Sequence, residues 1–345
     1  MTASTLLGAE LMVHPPFAEV LFRLLRPETL TRIIVEGMGK AAVFFIISVG
    51  LTLIFGLMGV LNFAHGAMTM LGAYLGGVVM VVVFSGGPGG LTQIVLLFVS
   101  MAVVFAILTG FGSAVESRLI RPIYDRPPMY QILLTFGVTL VLEELARIIA
   151  TSRGIQPEPS WQAALGTAPD FLVARYDVFG ANIRGLYFFH MLVGLAVLAV
   201  VRGFLTRTLY GLHIRAGSED SEMVEALGID VRQAFTVVFG VGTGLAGIGG
   251  VMLMWDPLWG PSVLMNIETL LIAFVIVIIG GLGTFKGTVI ASLVVGITDS
   301  FATWLFQTGI VAFAGLPEIL LFLILVVMLI IRPQGIYGLE EVGDH

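Results

Sequence analysis

The stretch "GVLNFAHGAMTMLGAYLGG", residues 59–77, places Asn62 and His65 inside some of the most apolar sequence of the chain, with glycines on both sides. The whole chain is 57% hydrophobic and only 12% charged, and its mean hydropathy is +1.02. A water-soluble domain needs more polar surface than this composition supplies, so the composition predicts a membrane-embedded protein. The 43 glycines agree, because small residues let membrane helices approach closely.

Long apolar segments predict an all-α, polytopic membrane protein with eight to ten transmembrane helices. The charge-free sequence from Gly66 to Val115 is too long for one helix, and the glycine-rich residues 85–90 divide it. The candidate spans are residues 41–61, 66–84, 92–114, 128–149, 187–201, 234–254, 269–282, 288–306 and 316–331. They form a transmembrane domain (36–335) between an amphipathic N-terminal segment (1–35) and a C-terminal tail (336–345).

Lysines and arginines in short loops indicate the cytoplasmic side of a membrane protein. Residues 116–126 and 202–232 hold several arginines and lie two spans apart, so both are predicted to be cytoplasmic. The long polar excursion 151–186 is then an external loop. The side of the N-terminus stays open, because counting spans backwards places it outside although it carries basic residues from Arg23 to Lys40.

The opening stretch has a weak internal repeat in "GGLGTFKGTVIASLVVGI", residues 280–297. In both stretches glycines and a short polar turn separate an apolar span from a span rich in small residues. Paired interruptions of this kind are typical of broken helices that line a pathway. We therefore predict a translocation path or broken helices at Asn62, His65, Gly66, Gly281, Gly283, Lys286 and Gly287. The alternative is a pair of plain interhelical turns that contact no solute.

The polar stretch "HIRAGSEDSEMVEALGID", residues 213–230, predicts a short cytoplasmic helix. Ser218 is a suitable N-cap, Glu219 and Asp220 suit the first turn, and Gly228 is a suitable stop. One side of this helix would be apolar, formed by Met223, Ala226 and Leu227. Such a helix suits a groove on a partner protein, and the alternative is that it covers its own bundle.

Three blocks of the sequence resemble the integral permeases of the branched-chain amino acid ABC importer family, the Liv type. They are "GLTLIFGLMGVLNFAHGAMTMLGAYLG" (50–76), "RAGSEDSEMVEALGID" (215–230) and "AFVIVIIGGLGTFKGTVIASLVVGI" (273–297), in the family's order. The resemblance implies that the second block is the coupling loop, which docks on an ATPase subunit. By this likeness the coupling positions and their neighbours are Arg215, Glu219, Asp220, Met223, Ala226, Leu227 and Gly228.

The resemblance implies a permease subunit that imports branched-chain or other apolar amino acids across a bacterial-type cytoplasmic (inner) membrane. The expected partners are a second related permease, two ATPase subunits and an extracytoplasmic solute-binding protein, with no nucleic acid. The sequence contains no G-x-x-x-x-G-K-[ST] motif, so ATP hydrolysis is expected from the partners. ATP and Mg²⁺ are accordingly expected on those subunits, with no metal or other cofactor on this chain.

The competing hypothesis is an ion-coupled carrier or channel for a small polar solute such as urea or an amide. Such proteins usually need ionisable groups inside the membrane, and this chain has few. Asp299 is the best single candidate, and its alternative is a polar contact with a partner subunit or at the end of a span. Glu143, Glu144 and Arg147 share the end of one helix, and their i, i+4 and i, i+3 spacing to Arg147 favours a structural ion pair over a relay. The scarcity of such groups favours externally powered transport.

Overall fold

The computed structural model describes residues 17–84, 91–152, 168–219, 221–226, 228, 230–256 and 260–338. Its helices are α1 (Phe17–Leu24), α2 (Pro27–Met58), α3 (His65–Phe84), α4 (Leu91–Val115), α5 (Pro128–Ser152), α6 (Asp170–Val173), α7 (Gly185–Arg207), α8 (Leu209–Glu219), α9 (Ser221–Ala226), α10 (Val231–Leu253), α11 (Met265–Gly280), α12 (Phe285–Gln307) and α13 (Leu316–Ile331). The strands β1 (Arg175–Val178) and β2 (Ala181–Arg184) form an antiparallel hairpin.

The prediction of an all-α, polytopic membrane protein is confirmed, since every candidate span coincides with a helix. Five described segments are long and apolar enough to cross a membrane: Pro27–Met58, Ile94–Ile123, Gly185–Arg207, Val231–Leu253 and Phe285–Gln307. The apolar helices α11 and α13 are shorter, at 16 residues each.

Helix α2 begins much earlier than the sequence predicts, at Pro27 instead of residue 41. Proline at the first position suits a helix start, and Glu28 in the first turn is favoured by the helix dipole. The predicted boundary between residues 35 and 36 therefore lies inside α2. Only α1 precedes α2 among the described residues of the N-terminal segment.

Helices α2 and α10 form the centre of the bundle, and glycines set their close packing. A Cβ added to Gly50 of α2 would lie 2.3 Å from the carbonyl oxygen of Gly242 in α10. A Cβ on Gly250 would lie 2.0 Å from the carbonyl oxygen of Thr69 in α3. Only glycine permits such backbone contact, so α10 holds α2 and α3 in fixed positions.

The two basic segments 116–126 and 202–232 meet at one end of the bundle, which we call the basic end. There the Tyr124 ring packs edge-on against Phe235, with ring centroids 5.4 Å apart. Phe235 lies in α10, three residues after the end of segment 202–232. Helix α2 finishes at this end, so it begins at the opposite end. At that opposite end Arg32 donates a hydrogen bond to the Gln307 side chain at 2.8 Å, on the last residue of α12.

The predicted external loop 151–186 contains more regular structure than its polar sequence indicates. Helix α5 continues to Ser152, and residues 153–167 lie outside the described part of the chain. The β1–β2 hairpin follows and turns through Phe179 (φ 50°) and Gly180 (φ 82°). Two consecutive residues with positive φ are typical of the type I′ turn that matches the twist of paired strands.

Candidate functional site

The first predicted interruption is a segment that runs back into the bundle; we call residues 59–64 the buried turn. Helix α2 closes at Gly59, whose φ is +63° and whose N–H donates to the Phe55 carbonyl at 2.8 Å. The His65 Nε2–H donates to the carbonyl oxygen of Ile47 at 2.8 Å. Since a helix rises 1.5 Å per residue, α3 begins about 12 Å back along α2 from Phe55.

Local hydrogen bonds explain how the sequence starts α3 at this depth. The Oδ1 of Asn62 accepts from the Ala64 N–H at 3.0 Å, and the Asn62 carbonyl accepts from the His65 N–H at 3.2 Å. This is an asparagine turn, which orders the backbone before the helix. Helix α5 supplies two further partners for Phe63, whose N–H donates to Thr135 Oγ1 at 3.2 Å and whose carbonyl accepts from Thr139 Oγ1 at 3.0 Å.

Three buried polar side chains around the buried turn keep atoms without hydrogen-bond partners among the described residues. These atoms are Asn62 Nδ2, His65 Nδ1 and Asn266 Oδ1. Asn266 reaches this place because Gly66 has no side chain: a Cβ there would lie 2.0 Å from the Asn266 carbonyl oxygen. Buried polar atoms are normally paired, so these three are available to a water molecule or a polar solute.

Helix α5 contributes a polar stripe that the sequence analysis missed. Thr135, Thr139 and Glu143 follow one another at four-residue intervals and so share one face of the helix. Thr135 and Thr139 bind the buried turn, while Glu143 Oε2 accepts from Asn266 Nδ2 at 3.3 Å. The spacing of these polar residues in an apolar helix is a signal that could have identified the stripe.

The second predicted interruption, residues 281–284, lies at the basic end, and we call it the capped turn. Gly281 and Gly283 have φ of +99° and +77°. The tail after α13 closes the end of α11, because the Ile336 N–H donates to the Ile279 carbonyl at 2.8 Å and the Tyr337 N–H to the Gly280 carbonyl at 3.1 Å. The two interruptions therefore differ in depth and in how their backbone groups are paired.

The remaining predicted residues of this second set surround the capped turn. Gly287 permits close contact between α12 and α11, since a Cβ there would lie 1.9 Å from the Gly280 carbonyl oxygen. Lys286 is exposed and lines a cavity of about 530 Å³ together with Gly283. Gly283 packs against Gly56 in the last turn of α2, whereas His65 and Gly66 contact Ile47 and Asn266. The two predicted sets therefore make their contacts with different residues.

The predicted coupling loop folds differently from the sequence expectation. Ser218 lies inside α8, which runs on to Glu219, so it is not the N-cap of a new helix. The short helix α9 starts only at Ser221, and Gly228 follows it with φ of +84°. Asp220 and Leu227 lie outside the described residues. Met223, Ala226 and Gly228 are exposed whereas Val224 is buried, so α9 presents Met223 on its outer surface.

A buried carboxylate, which the sequence analysis did not single out, joins the end of α4 to α10. Glu116 begins a π-helical stretch and accepts from Thr236 Oγ1 at 2.7 Å, from an Arg121 NH₂ group at 3.1 Å and from the Tyr124 hydroxyl. Burial, and then the bond to Glu116, raise the pKa of Tyr124, so its hydroxyl stays a donor. Because α10 begins at Val231 directly after the α9 region, this cluster ties the predicted coupling segment to α4.

Asp299 is paired within the chain. It is buried on α12 and accepts from Lys40 of α2, which also donates to Thr303 Oγ1 at 3.0 Å. The alternatives weighed from sequence, a partner subunit or the end of a span, did not include this ion pair between α2 and α12. The pairing of Arg147 with Glu143 (3.2 Å) and Glu144 (3.6 Å) follows the helix spacing that the sequence indicates.

Comparisons with known proteins place this architecture in a family. The family model described as "Branched-chain amino acid transport system / permease component" matches residues 33–332. The permease protein BraD of Pseudomonas aeruginosa is 23% identical over 314 residues, which are 90% of this chain and 96% of BraD. The permease protein LivH of Escherichia coli K12 is 22% identical over 312 residues, or 89% of this chain and 95% of LivH.

Two further proteins match this chain over most of its length. The probable permease LivH of Methanocaldococcus jannaschii is 24% identical over 303 residues, 86% of this chain and 88% of that protein. Among solved structures, a chain of PsaBC from Streptococcus pneumoniae in complex with Fab aligns with 93% of the present chain. The alignment includes 98% of the PsaBC chain, at 15% sequence identity and a TM-score of 0.49. The family model spans nearly the whole described bundle, and this chain therefore belongs to the family of branched-chain amino acid transport system permease components.

Proposed function

We propose that this chain is the permease subunit of an ATP-driven importer in the cytoplasmic (inner) membrane. Its solute is small and neutral or zwitterionic, and branched-chain or other apolar amino acids fit best. The observation that carries the proposal is the buried turn, where Asn62, His65 and Asn266 keep unpaired polar atoms inside an apolar bundle. The printed names of the relatives BraD and LivH support the solute class.

The chemistry around the buried turn suits a solute with one polar end and one aliphatic end. Uncharged amide and imidazole groups are available for hydrogen bonds, while Phe63 and Phe274 supply an apolar wall with ring centroids 5.2 Å apart. Glu143 provides a partly buried carboxylate at the end of the polar stripe. A site with few precisely placed polar groups and apolar walls is typical of small-molecule binding. We infer that the solute route passes between α3, α5 and α11.

Energy for transport is proposed to enter through α8 and α9 at the basic end. The expected complex holds a second related permease, two ATPase subunits that bind ATP and Mg²⁺, and an extracytoplasmic solute-binding protein. The exposed Met223 and Ala226 suit a docking groove on an ATPase subunit. Helix α10 follows α9 and touches α2 at Gly50 and α3 at Thr69. Movement of α9 would therefore reach both helices that flank the buried turn.

The ion-coupled carrier is the second candidate, and the buried Lys40–Asp299 pair is the observation in its favour. Buried ionisable groups mark ion pathways in many transporters. Each member of this pair, however, has its charge balanced by the other. The pair also joins α2 to α12, which gives it a structural role without any proton transfer.

Coupling is tested with Glu219→Arg combined with Gly228→Arg in the complex with its ATPase and binding-protein partners, reconstituted in liposomes. We expect solute uptake to fall by about tenfold or more while ATP hydrolysis continues, since bulky cations displace the docking surface without touching the nucleotide sites. Asp125→Arg, an exposed residue at the basic end outside α8 and α9, is the matched control. Unchanged uptake in the double variant would remove the proposed coupling role.

The energy source is tested separately with this chain alone in liposomes. The proposal expects no accumulation of a branched-chain amino acid under a proton or sodium gradient without ATP. Accumulation under either gradient would establish the carrier function instead. Lys40→Met with Asp299→Asn would then show whether the buried pair takes part, because a coupling role requires the variant to lose gradient-driven uptake.

A further inference from the structure

The cavity that Lys286 and Gly283 line at the basic end is chemically unlike the buried turn. Its volume is about 530 Å³, and it lies where α2, α7, α8 and α12 meet the tail after α13. Three of its lining residues are cationic and come from three different helices: Arg202 of α7, Arg215 of α8 and Lys286 of α12. We call this space the basic cavity.

The positive charge of the basic cavity is not balanced by its own lining. None of the described lining residues is acidic. Arg202 and Lys286, on α7 and α12, make no ion pair with any residue that the structure describes. Like charges held around one cavity repel one another, so an anion between them would be stabilised.

The beginning of α12 adds to this preference for an anion. Phe285 and Lys286 are the first two residues of that helix, and both line the cavity. First-turn N–H groups have no acceptor within their own helix, and the helix dipole favours negative charge beside them. A lysine in the first turn is unfavourable by the same rule, so its presence is understandable if an anion binds there.

The rest of the lining combines hydroxyl groups with aliphatic surface. Thr206 and Thr284 offer hydroxyls, while Leu53, Leu205 and Ile214 are apolar. A phosphate group could accept from the cations and hydroxyls at once, and acyl chains attached to it could lie against the aliphatic residues. Basic pockets between membrane helices bind the head groups of anionic lipids in this manner.

We propose that the basic cavity binds a phosphate-bearing anion, and that an anionic phospholipid head group is the natural source. Because Arg215 lies on α8, the bound anion would connect the segment proposed for coupling with α12 and α7. Occupancy would then stiffen the contact between α8 and the membrane helices. The binding itself does not depend on the transport function proposed above, so the test below measures binding without uptake.

The test uses the purified full chain in a neutral detergent at constant ionic strength. Its thermal midpoint is followed during titration with phosphatidylglycerol, with phosphatidylcholine of the same acyl chains, and with inorganic phosphate. We expect phosphatidylglycerol to raise the midpoint and phosphatidylcholine to leave it unchanged. Stabilisation by inorganic phosphate alone would also support the site and would identify a free anion as its source. No stabilisation by either phosphate-bearing compound would overturn the proposal.

Variants separate a built site from general attraction of anions. Arg202→Gln with Lys286→Gln should raise the apparent Kd for phosphatidylglycerol by about thirtyfold, the effect of removing two cations near a lipid surface. Arg118→Gln with Arg207→Gln removes the same charge from exposed positions outside the cavity lining and should change it by less than about threefold. An equal loss in both double variants would overturn the proposal.

A charge-conserving exchange guards against a folding artefact. Arg202→Lys with Lys286→Arg keeps the number of cations around the cavity, so a site held by charge should bind within about threefold of the unsubstituted chain. Far-ultraviolet circular dichroism of each variant without lipid should be unchanged, because the two residues are exposed. Loss of binding in this exchange variant with retained helicity would contradict a charge-based site.

Discussion

The buried turn and the capped turn resemble each other in sequence but differ in depth: the first joins α2 to α3 inside the bundle, and the second joins α11 to α12 at the basic end. Each has a positive-φ glycine beside a polar residue, Gly59 near Asn62 and Gly283 beside Thr284. Asn62 is fully buried and keeps an unpaired Nδ2, whereas the Thr284 hydroxyl donates to the Gly280 and Gly281 carbonyls at 3.0 and 2.8 Å.

The two turns differ in which residues form hydrogen bonds with their backbone groups. The tail after α13 closes the capped turn, and every helix-end carbonyl it covers is satisfied. The buried turn is instead paired through Thr135 and Thr139 of α5, a helix that otherwise packs little against the chain. A turn whose partners belong to a separate, lightly packed helix can open, while a turn capped by its own tail is a fixed corner. This difference supports the proposal that the solute contacts the buried turn.

The largest effect is expected from breaking the ion pair that holds α2, which precedes the buried turn, against α12, which follows the capped turn. Asp299→Asn leaves Lys40 buried without a counter-charge, which should lower the free energy of unfolding by about 3–5 kcal/mol. This loss is measured by thermal or denaturant unfolding of the purified chain in detergent. Glu19→Gln, which breaks the exposed Arg23–Glu19 pair, is the control and should cost under about 1 kcal/mol. Equal losses would contradict a structural role for the buried pair.

The next largest effect is expected at Gly66, where the first turn of α3 contacts α11 directly after the buried turn. Gly66→Ala places a methyl group against the Asn266 carbonyl, so we expect a loss of about 2–3 kcal/mol in stability. Gly110→Ala on α4, where an added Cβ meets nothing within 4 Å, should be neutral or slightly stabilising in the same unfolding assay. A neutral Gly66→Ala would mean that α3 and α11 are less closely packed than described.

A direct test of the comparison is alanine substitution of the polar residue in each turn. Asn62→Ala in the reconstituted complex should reduce uptake by about tenfold, the effect of losing roughly one well-placed hydrogen bond to the solute. Thr284→Ala should change uptake by less than about twofold, because its hydroxyl only supports the capped turn. ATP hydrolysis is measured in parallel. A larger loss of uptake in Thr284→Ala than in Asn62→Ala would indicate that the solute passes the capped turn instead.

The smallest effect is expected in the tail that closes the capped turn. Gly335 has φ of +82°, and a Cβ there would lie 2.5 Å from the Gly281 nitrogen. Gly309 has a similar φ of +71° but open space around it. Gly335→Ala should therefore cost about 1 kcal/mol more stability than Gly309→Ala, since both incur the backbone cost and only the first adds a clash. Equal thermal midpoints would show that the tail does not fix the corner.

The sequence predicted the helices well because each span is a long apolar segment, and length with composition decides whether a segment crosses a membrane. It placed the start of α2 wrongly, since residues 27–40 mix charged and apolar residues that only neighbouring helices can bury. It also placed a helix start at Ser218, a good N-cap in isolation, because α8 continues through that residue to Glu219. Local capping preference is weak compared with continuation of an existing helix.

The site was predicted only in part, because its partners are distant in sequence. Asn62, His65 and Gly66 stood out as polar and small residues among apolar ones, but their contacts with Asn266 and α5 depend on how the helices pack. The ion pair of Lys40 with Asp299 and the cluster at Glu116 were missed for the same reason. No spacing rule connects residues on helices that are separated by several spans.

Apolar content, span lengths and the three family blocks are enough to predict a membrane-embedded helical bundle of the Liv permease type. The burial of one glycine-flanked turn and the capping of the other by the tail are visible only once the helices are packed. The physical reason is that hydrophobicity and helix propensity act along the chain, whereas the depth of a turn and the pairing of its polar atoms depend on which helices meet across the bundle.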